Sequence, residues 1–336
     1  MKMVVHGFGF SGSGAVLDWL QDCPGVQLAP KIKGFMAPGG IGEIVLCADD
    51  PARMQALARA RIAVLEKMIR QRPLKYRLPG YSQGRQMLHQ VRTLLGIGRR
   101  TGVHATNAEV EGAAGWAMDC RYLSEFIERL ERKESLDVVA YWRGWLDARL
   151  AQECPGVEWV ALDKCVPALS GPLSRAWAEV YRPFRLIVAH RDPQDQFIES
   201  VRQLGWDKLA RRKNYPWGRS SDPGRAFLEK TRAELVELLD YQRHAPEACL
   251  AVPFEGLVGS QPEWARRIGA WSGLPEISEG PGSRFDPAVS KQNIGLGEAH
   301  PQTRGLLEAH QALLDEIRAM RRQLIALSEA APTAGK

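Results

Sequence analysis

Two hydrophobic rhythms run along this chain. Short apolar runs, the pattern of strands buried on both faces, occur at Met3-Val4-Val5-His6, at Val157-Glu158-Trp159-Val160-Ala161-Leu162 and at Arg185-Leu186-Ile187-Val188-Ala189. Helical spacing takes over at Ala15–Leu20, and again from Pro51 to Arg70, where Leu57, Val64 and Met68 share a face. It returns from Gln302 to Leu327, which reads as one long helix before a frayed tail. Strands separated by helical stretches predict an α/β fold, a mostly parallel central sheet flanked by helices. We expect residues 1–330 to form one domain, with a mostly helical insertion over 50–155 and a disordered tail at 331–336.

The first strand runs into Gly7-Phe8-Gly9-Phe10-Ser11-Gly12-Ser13-Gly14, and the amphipathic helix follows at once. Strand, glycine–serine loop and helix in that order present backbone amides and small hydroxyls at a helix N-terminus, where an anion is favoured. Gly7 and Gly12 have the glycine spacing of a Walker loop, but Ser13 stands where the phosphate-binding lysine belongs, which argues against ATP hydrolysis. Gly7, Gly9 and Gly12 also fit the dinucleotide pattern G-x-G-x-x-G. That pattern needs an acidic residue at the end of the second strand, and Val26–Lys31 offers none. Lys31 or Lys33 would suit a phosphorylated ribose, so an NADP-dependent oxidoreductase stays open, as does a ligand-free glycine turn.

The Arg185–Ala189 strand ends in His190-Arg191-Asp192-Pro193. Pro193 suits the first turn of a helix and Asp192 its cap, which puts Arg191 at the carboxyl rim of the sheet. A guanidinium there either grips a phosphate through paired, charge-assisted bonds or pairs with Asp192 or Asp195.

Composition narrows the class. A formal charge of +6 over 336 residues suits an enzyme that handles a polyanion, or simply a solvated surface. Cys23, Cys47, Cys120, Cys154, Cys165 and Cys249 lack C-x-x-C spacing, so reduced thiols are expected, with no metal and no disulfide framework. No run of about 18 apolar residues predicts a membrane span, and the first residues lack a leader pattern, so a cytoplasmic location is expected. No nucleic-acid reader module is present. Arg70, Arg72, Lys75, Arg77, Arg85, Arg92, Arg99 and Arg100 crowd one region, either as a receiver of an acidic glycan or anionic headgroup or as a solvated face. Trp142 and Trp145 flank Arg143 at helical spacing, which suits a core as well as sugar stacking.

Taken together, these stretches resemble the sulfotransferase family, which uses 3′-phosphoadenosine 5′-phosphosulfate (PAPS). Gly9-Phe10-Ser11-Gly12-Ser13-Gly14 is similar to that family's 5′-phosphosulfate loop, and Arg191-Asp192-Pro193-Gln194-Asp195 with Ser200 to its 3′-phosphate grip. Cys249–Val258, Trp271-Ser272-Gly273-Leu274-Pro275 and Phe285–Gly295 echo later family segments in the expected order. The resemblance covers residues 2–28 and 157–297, and almost nothing between 30 and 150. It implies a P-loop NTPase-like sulfotransferase fold of the bacterial carbohydrate type, with PAPS as sulfuryl donor, a glycan or glycolipid acceptor, and the 50–155 insertion on the acceptor side. It further implies that Gly9, Phe10, Ser11, Gly12, Ser13, Gly14, Ala15, Arg191, Ser200, Lys291, Asn293 and Gly295 bind the cofactor.

The chain departs from the pattern at two places. Phe10 stands where the family has a lysine or arginine, and Glu199 holds the place of the family's serine, with Ser200 one residue later. Asp163 and Lys164, at the end of the Val157–Leu162 strand, match a family segment and become the candidate base and replacement cation, or a strand-end salt bridge. A catalytically silent nucleotide-binding module is the third functional reading.

Overall fold

A computed structural model of the chain describes residues 1–29, 35–36, 39–71, 113–163, 165–166, 169–211, 215–275 and 284–333. The first half comprises β1 (Lys2–Gly7), α1 (Ser13–Asp22), β2 (Val26–Leu28), α2 (Ile41–Leu46), α3 (Pro51–Gln71), α4 (Ala113–Glu131), α5 (Val138–Glu153), β3 (Trp159–Asp163) and α6 (Pro172–Tyr181). Then come β4 (Phe184–His190), α7 (Pro193–Leu204), α8 (Trp206–Arg211), a 3₁₀ turn (Pro216–Arg219), α9 (Pro223–His244), β5 (Cys249–Pro253), α10 (Phe254–Gly259) and α11 (Gln261–Ser272). The chain closes with α12 (Pro287–Lys291), α13 (Leu296–Ala299), α14 (Pro301–Glu308) and α15 (Gln311–Glu329). The class is α/β, as the periodicities predict. The chain divides into two compact units, residues 1–27 with 183–336, and residues 28–182.

In the first unit β1, β4 and β5 lie side by side and parallel, with β4 in the middle. Met3, Val4, Val5, Leu186, Ile187, Val188, Leu250 and Ala251 are sealed from solvent, as expected of parallel strands covered on both faces. The register pairs Gly7 with Ala189 and Ala189 with Val252, so the segments after all three strands leave the same carboxyl edge together. Helix α15 packs on this sheet: Ser328 Oγ donates to the Ala251 carbonyl of β5 at 2.6 Å and accepts from Gln242 Nε2 of α9 at 2.9 Å.

The expected single helix over 302–327 is two helices. The break falls at Ala309–His310, where His310 leaves helical geometry and its ring meets the Asp222 carboxylate at 2.9 Å. The His310 carbonyl then opens α15 by accepting from Leu313 and Leu314.

The second unit is mostly helical. Asp137 caps α5 by accepting from the Ala140 amide at 2.9 Å. Trp142 and Trp145 are fully buried: Trp142 packs on Phe126, and Trp145 Nε1 donates to Asp119 at 2.9 Å. They are core, not a sugar platform. Arg143 reaches the Glu179 carbonyl at the end of α6. Of the basic crowd only Arg70, at the end of α3, falls among the described residues; the rest lie outside them, as do Lys31, Lys33 and residues 334–336. No helix among the described residues is long and apolar enough to cross a membrane.

Candidate functional site

The loop between β1 and α1 is shaped by three positive φ angles, at Gly9 (+71°), Phe10 (+53°) and Gly12 (+93°). A Cβ on Gly12 would lie 2.4 Å from the Phe254 ring, and one on Gly7 would lie 2.3 Å from Ser11 Oγ. Glycine is therefore required at both, once for backbone and ring contact and once to let Ser11 fold beneath the strand end. The loop's carbonyls turn toward α7: Gln196 Nε2 donates to Phe8 and Gly9 at 3.0 and 2.7 Å, and Arg191 Nη1 to Phe10 at 3.3 Å.

With the carbonyls held there, the amides of Phe10 to Gly14 find no acceptor among the described residues. Helix α1 has Gly12 as its N-cap and no side-chain cap. Ser11 is only 1% exposed, and its hydroxyl has no hydrogen-bond partner among the described residues. Uncapped amides at a helix start beside an orphaned buried hydroxyl form an anion cradle. Tyr215 leans over it, its ring 6.0 Å from Phe10.

Arg191 closes the cradle from β4. It is 4% exposed and sits over the Phe254 ring at 4.9 Å. One guanidinium nitrogen donates to Phe10 as above, another to the Asn293 carbonyl, and Nε has no partner among the described residues. Burial pulls its pKa down, opposed by the charges of Asp195, Glu199 and Glu255, but a guanidinium stays charged at any working pH.

The segment from Arg284 to Leu296 is tied down at both ends by carboxylates. Asp22 accepts from the Arg284 and Phe285 amides at 2.9 and 3.0 Å. Asp195 accepts from Gly295 and Leu296 at 2.9 and 2.7 Å. Burial pushes the Asp195 carboxyl above its ordinary range, while those two amides and Arg191 hold it down. Arg202 Nη2 adds a bond to Asn293 Oδ1 at 2.8 Å.

Beneath the rim, α15 braces the turn after β4. Arg318 donates to Gln194 at 2.7 Å, and Arg321 to Glu255 at 2.7 Å and to His190 Nδ1 at 3.2 Å. Glu255 in turn accepts the Asp192 amide at 2.6 Å, and Asp192 caps α7 through Gln194 and Asp195. His190 is fully enclosed, and burial together with Arg321 drives its pKa well below 6.5, so its ring is neutral.

The sequence-predicted residues therefore divide. Gly9 to Ala15, Arg191, Asn293 and Gly295 belong to one connected arrangement within one unit. Ser200 does not reach it by any hydrogen bond: its buried hydroxyl donates back to the Phe197 carbonyl at 2.6 Å. Glu199 beside it pairs with Arg202 at 2.7 Å. Lys291 ends α12 with an exposed side chain. Asp163 is the last residue of β3 and is buried in the second unit, and Lys164 lies outside the described residues. Sequence reasoning missed Gln196, Tyr215, Phe254 and Arg321. Gln196 had a signal, since it falls in the first turns of the helix opened by Arg191-Asp192-Pro193; Arg321 had none.

The uncapped amides at the start of α1 and the Arg191 guanidinium thus stand together at the carboxyl edge of parallel strands, an arrangement whose chemistry suits an anion. The chain belongs to the Sulfotransferase family, whose model matches residues 108–279, just over half of its length. The match takes in β4, Arg191 and β5 and reaches back into α4 and α5, where the sequence motifs gave no resemblance. No curated protein and no solved structure matches the chain.

Proposed function

We propose that this sulfotransferase-family chain moves a sulfuryl group from PAPS to a hydroxyl or amine of a carbohydrate or glycolipid. The orphaned, buried Ser11 hydroxyl under the uncapped start of α1 carries the donor reading. It fits a group with clustered anionic oxygens and leaves a buried polar atom unexplained otherwise. The amides of Phe10 to Gly14 and Ser11 would hold the 5′-phosphosulfate, and Arg191 with the Asn293–Gly295 turn would hold the 3′-phosphate. The bound donor supplies the sulfuryl group, whose bond to the bridging oxygen breaks as one to the acceptor forms.

The protein's part is positioning and charge neutralisation. With Phe10 in place of a loop cation, backbone amides and the α1 dipole carry more of that load. Asp163 is the proposed acceptor of the proton released by the attacking hydroxyl, and Lys164 the proposed added cation. The carbohydrate or glycolipid assignment rests on family resemblance. Incubation with sulfur-labelled PAPS and panels of oligosaccharides and glycolipids tests the reading. Label on either class supports it; donor binding without transfer to any acceptor identifies a silent binding module instead.

A further inference from the structure

The Asn293–Leu296 end of this segment is held by one helix and its entry. Three side chains of α7 and its entry, Arg191, Asp195 and Arg202, take up the Asn293 carbonyl, the Gly295 and Leu296 amides and the Asn293 side chain. Of these, Asp195 alone fixes backbone direction, because one carboxylate accepts two successive amides through separate oxygens. That clamp forces the turn in which Gly295 adopts φ +75° and aims the Asn293 carbonyl back at Arg191. The carboxylate itself is 5% exposed and sits one helical turn beyond Arg191, too occupied to meet a ligand.

From this geometry we infer that Asp195 is a positioning residue that sets selectivity for nucleotides bearing a 3′-phosphate, by holding the Asn293–Leu296 turn and Arg191 in one fixed relation. The inference rests on the proposed donor reading of the cradle. It assigns to Asp195 no contact with the ligand. An anion at the first loop depends on the amides of Phe10 to Gly14, which the clamp touches only through the Arg191–Phe10 bond; an anion at Arg191 depends on it directly.

In Asp195→Asn one amide acceptor survives and the other is replaced by a donor facing a donor, so the turn loosens. Gly295→Ala perturbs the same turn from the other side: a Cβ there meets no atom within 4 Å, and the only penalty is the positive φ. Calorimetric titration of wild type and both variants with adenosine 3′,5′-bisphosphate and with adenosine 5′-monophosphate separates the possibilities. The expected result is at least a tenfold loss of bisphosphate affinity in Asp195→Asn, a three- to tenfold loss in Gly295→Ala, and less than a threefold change for the monophosphate in each. A wild type that prefers the bisphosphate beside variants that keep the preference, or that lose both ligands equally, overturns the role of Asp195. A wild type with no preference overturns the donor reading itself and the inference with it. Should Asp195→Asn fail to fold, Gly295→Ala decides by the same criterion.

Discussion

Arg191→Met removes a buried charge and leaves a side chain of similar length. In the free protein two effects oppose. The Phe10 and Asn293 carbonyls lose their donors, at about 1.5–3 kcal/mol for each charge-assisted bond. Against that, the guanidinium is almost withdrawn from water and its direct partners are carbonyls, with Asp195, Glu199 and Glu255 acting on it only through space. Removing it relieves a desolvation penalty of roughly several kcal/mol. The two nearly cancel, so urea unfolding of the free variant should show a loss of no more than about 3 kcal/mol. Ligand binding has no such compensation. Losing one charge-assisted contact to a phosphate weakens affinity by roughly 10- to 150-fold. Adenosine 3′,5′-bisphosphate at about a thousand times the wild-type Kd stabilises wild type by ~4.1 kcal/mol. A variant weakened about 30-fold gains only about 2 kcal/mol from the same concentration. A variant that keeps the full ligand-induced gain, or whose free form loses more than about 5 kcal/mol, would refute the assignment and make Arg191 a structural clasp.

Three further outcomes are expected. Ser11→Ala removes an unsatisfied buried hydroxyl, so thermal melts should show the free protein unchanged or stabilised by up to ~1 kcal/mol, while titration shows roughly tenfold weaker bisphosphate binding. His190 has its pKa depressed by folding, so the stability it leaves intact above pH 6.5 is lost as pH falls below that value, at up to about 1.4 kcal/mol per pH unit. Denaturant unfolding between pH 6.5 and 5 should show that slope in wild type and lose it in His190→Gln; equal slopes would assign the acid sensitivity to another group. Asp163→Asn should cut turnover by roughly 10²–10⁴-fold with bisphosphate affinity preserved, and unchanged turnover would remove Asp163 from the proton-accepting role.

What could be read from the sequence followed local rules. Apolar runs gave β1, β3 and β4, and Asp192-Pro193 announced the start of α7, because strand burial and helix capping depend on neighbours in sequence. The glycines of the first loop were legible for the same reason. The long C-terminal helix misled because its interruption comes from a distant partner, Asp222, acting on His310. Trp142 and Trp145 read as either platform or core, and the Phe126 and Asp119 contacts that make them core lie on another helix. The clamp by Asp195 and the brace by Arg321 link residues about a hundred positions apart or more, which no spacing rule reaches. Ser200 looked well placed by motif but sits in the buried turn of α7, where its hydroxyl satisfies a helical carbonyl.

On the proposed reading, the cradle after β1, closed by Arg191, holds a nucleotide with phosphates at both its 5′ and 3′ positions. The decisive experiment is calorimetric titration of the wild-type protein with adenosine 3′,5′-bisphosphate, NADP and ATP. One site is expected, binding the bisphosphate at least about tenfold more tightly than either competitor, as one extra charge-assisted phosphate contact requires. Tighter binding of NADP, or no preference among the three, would contradict it.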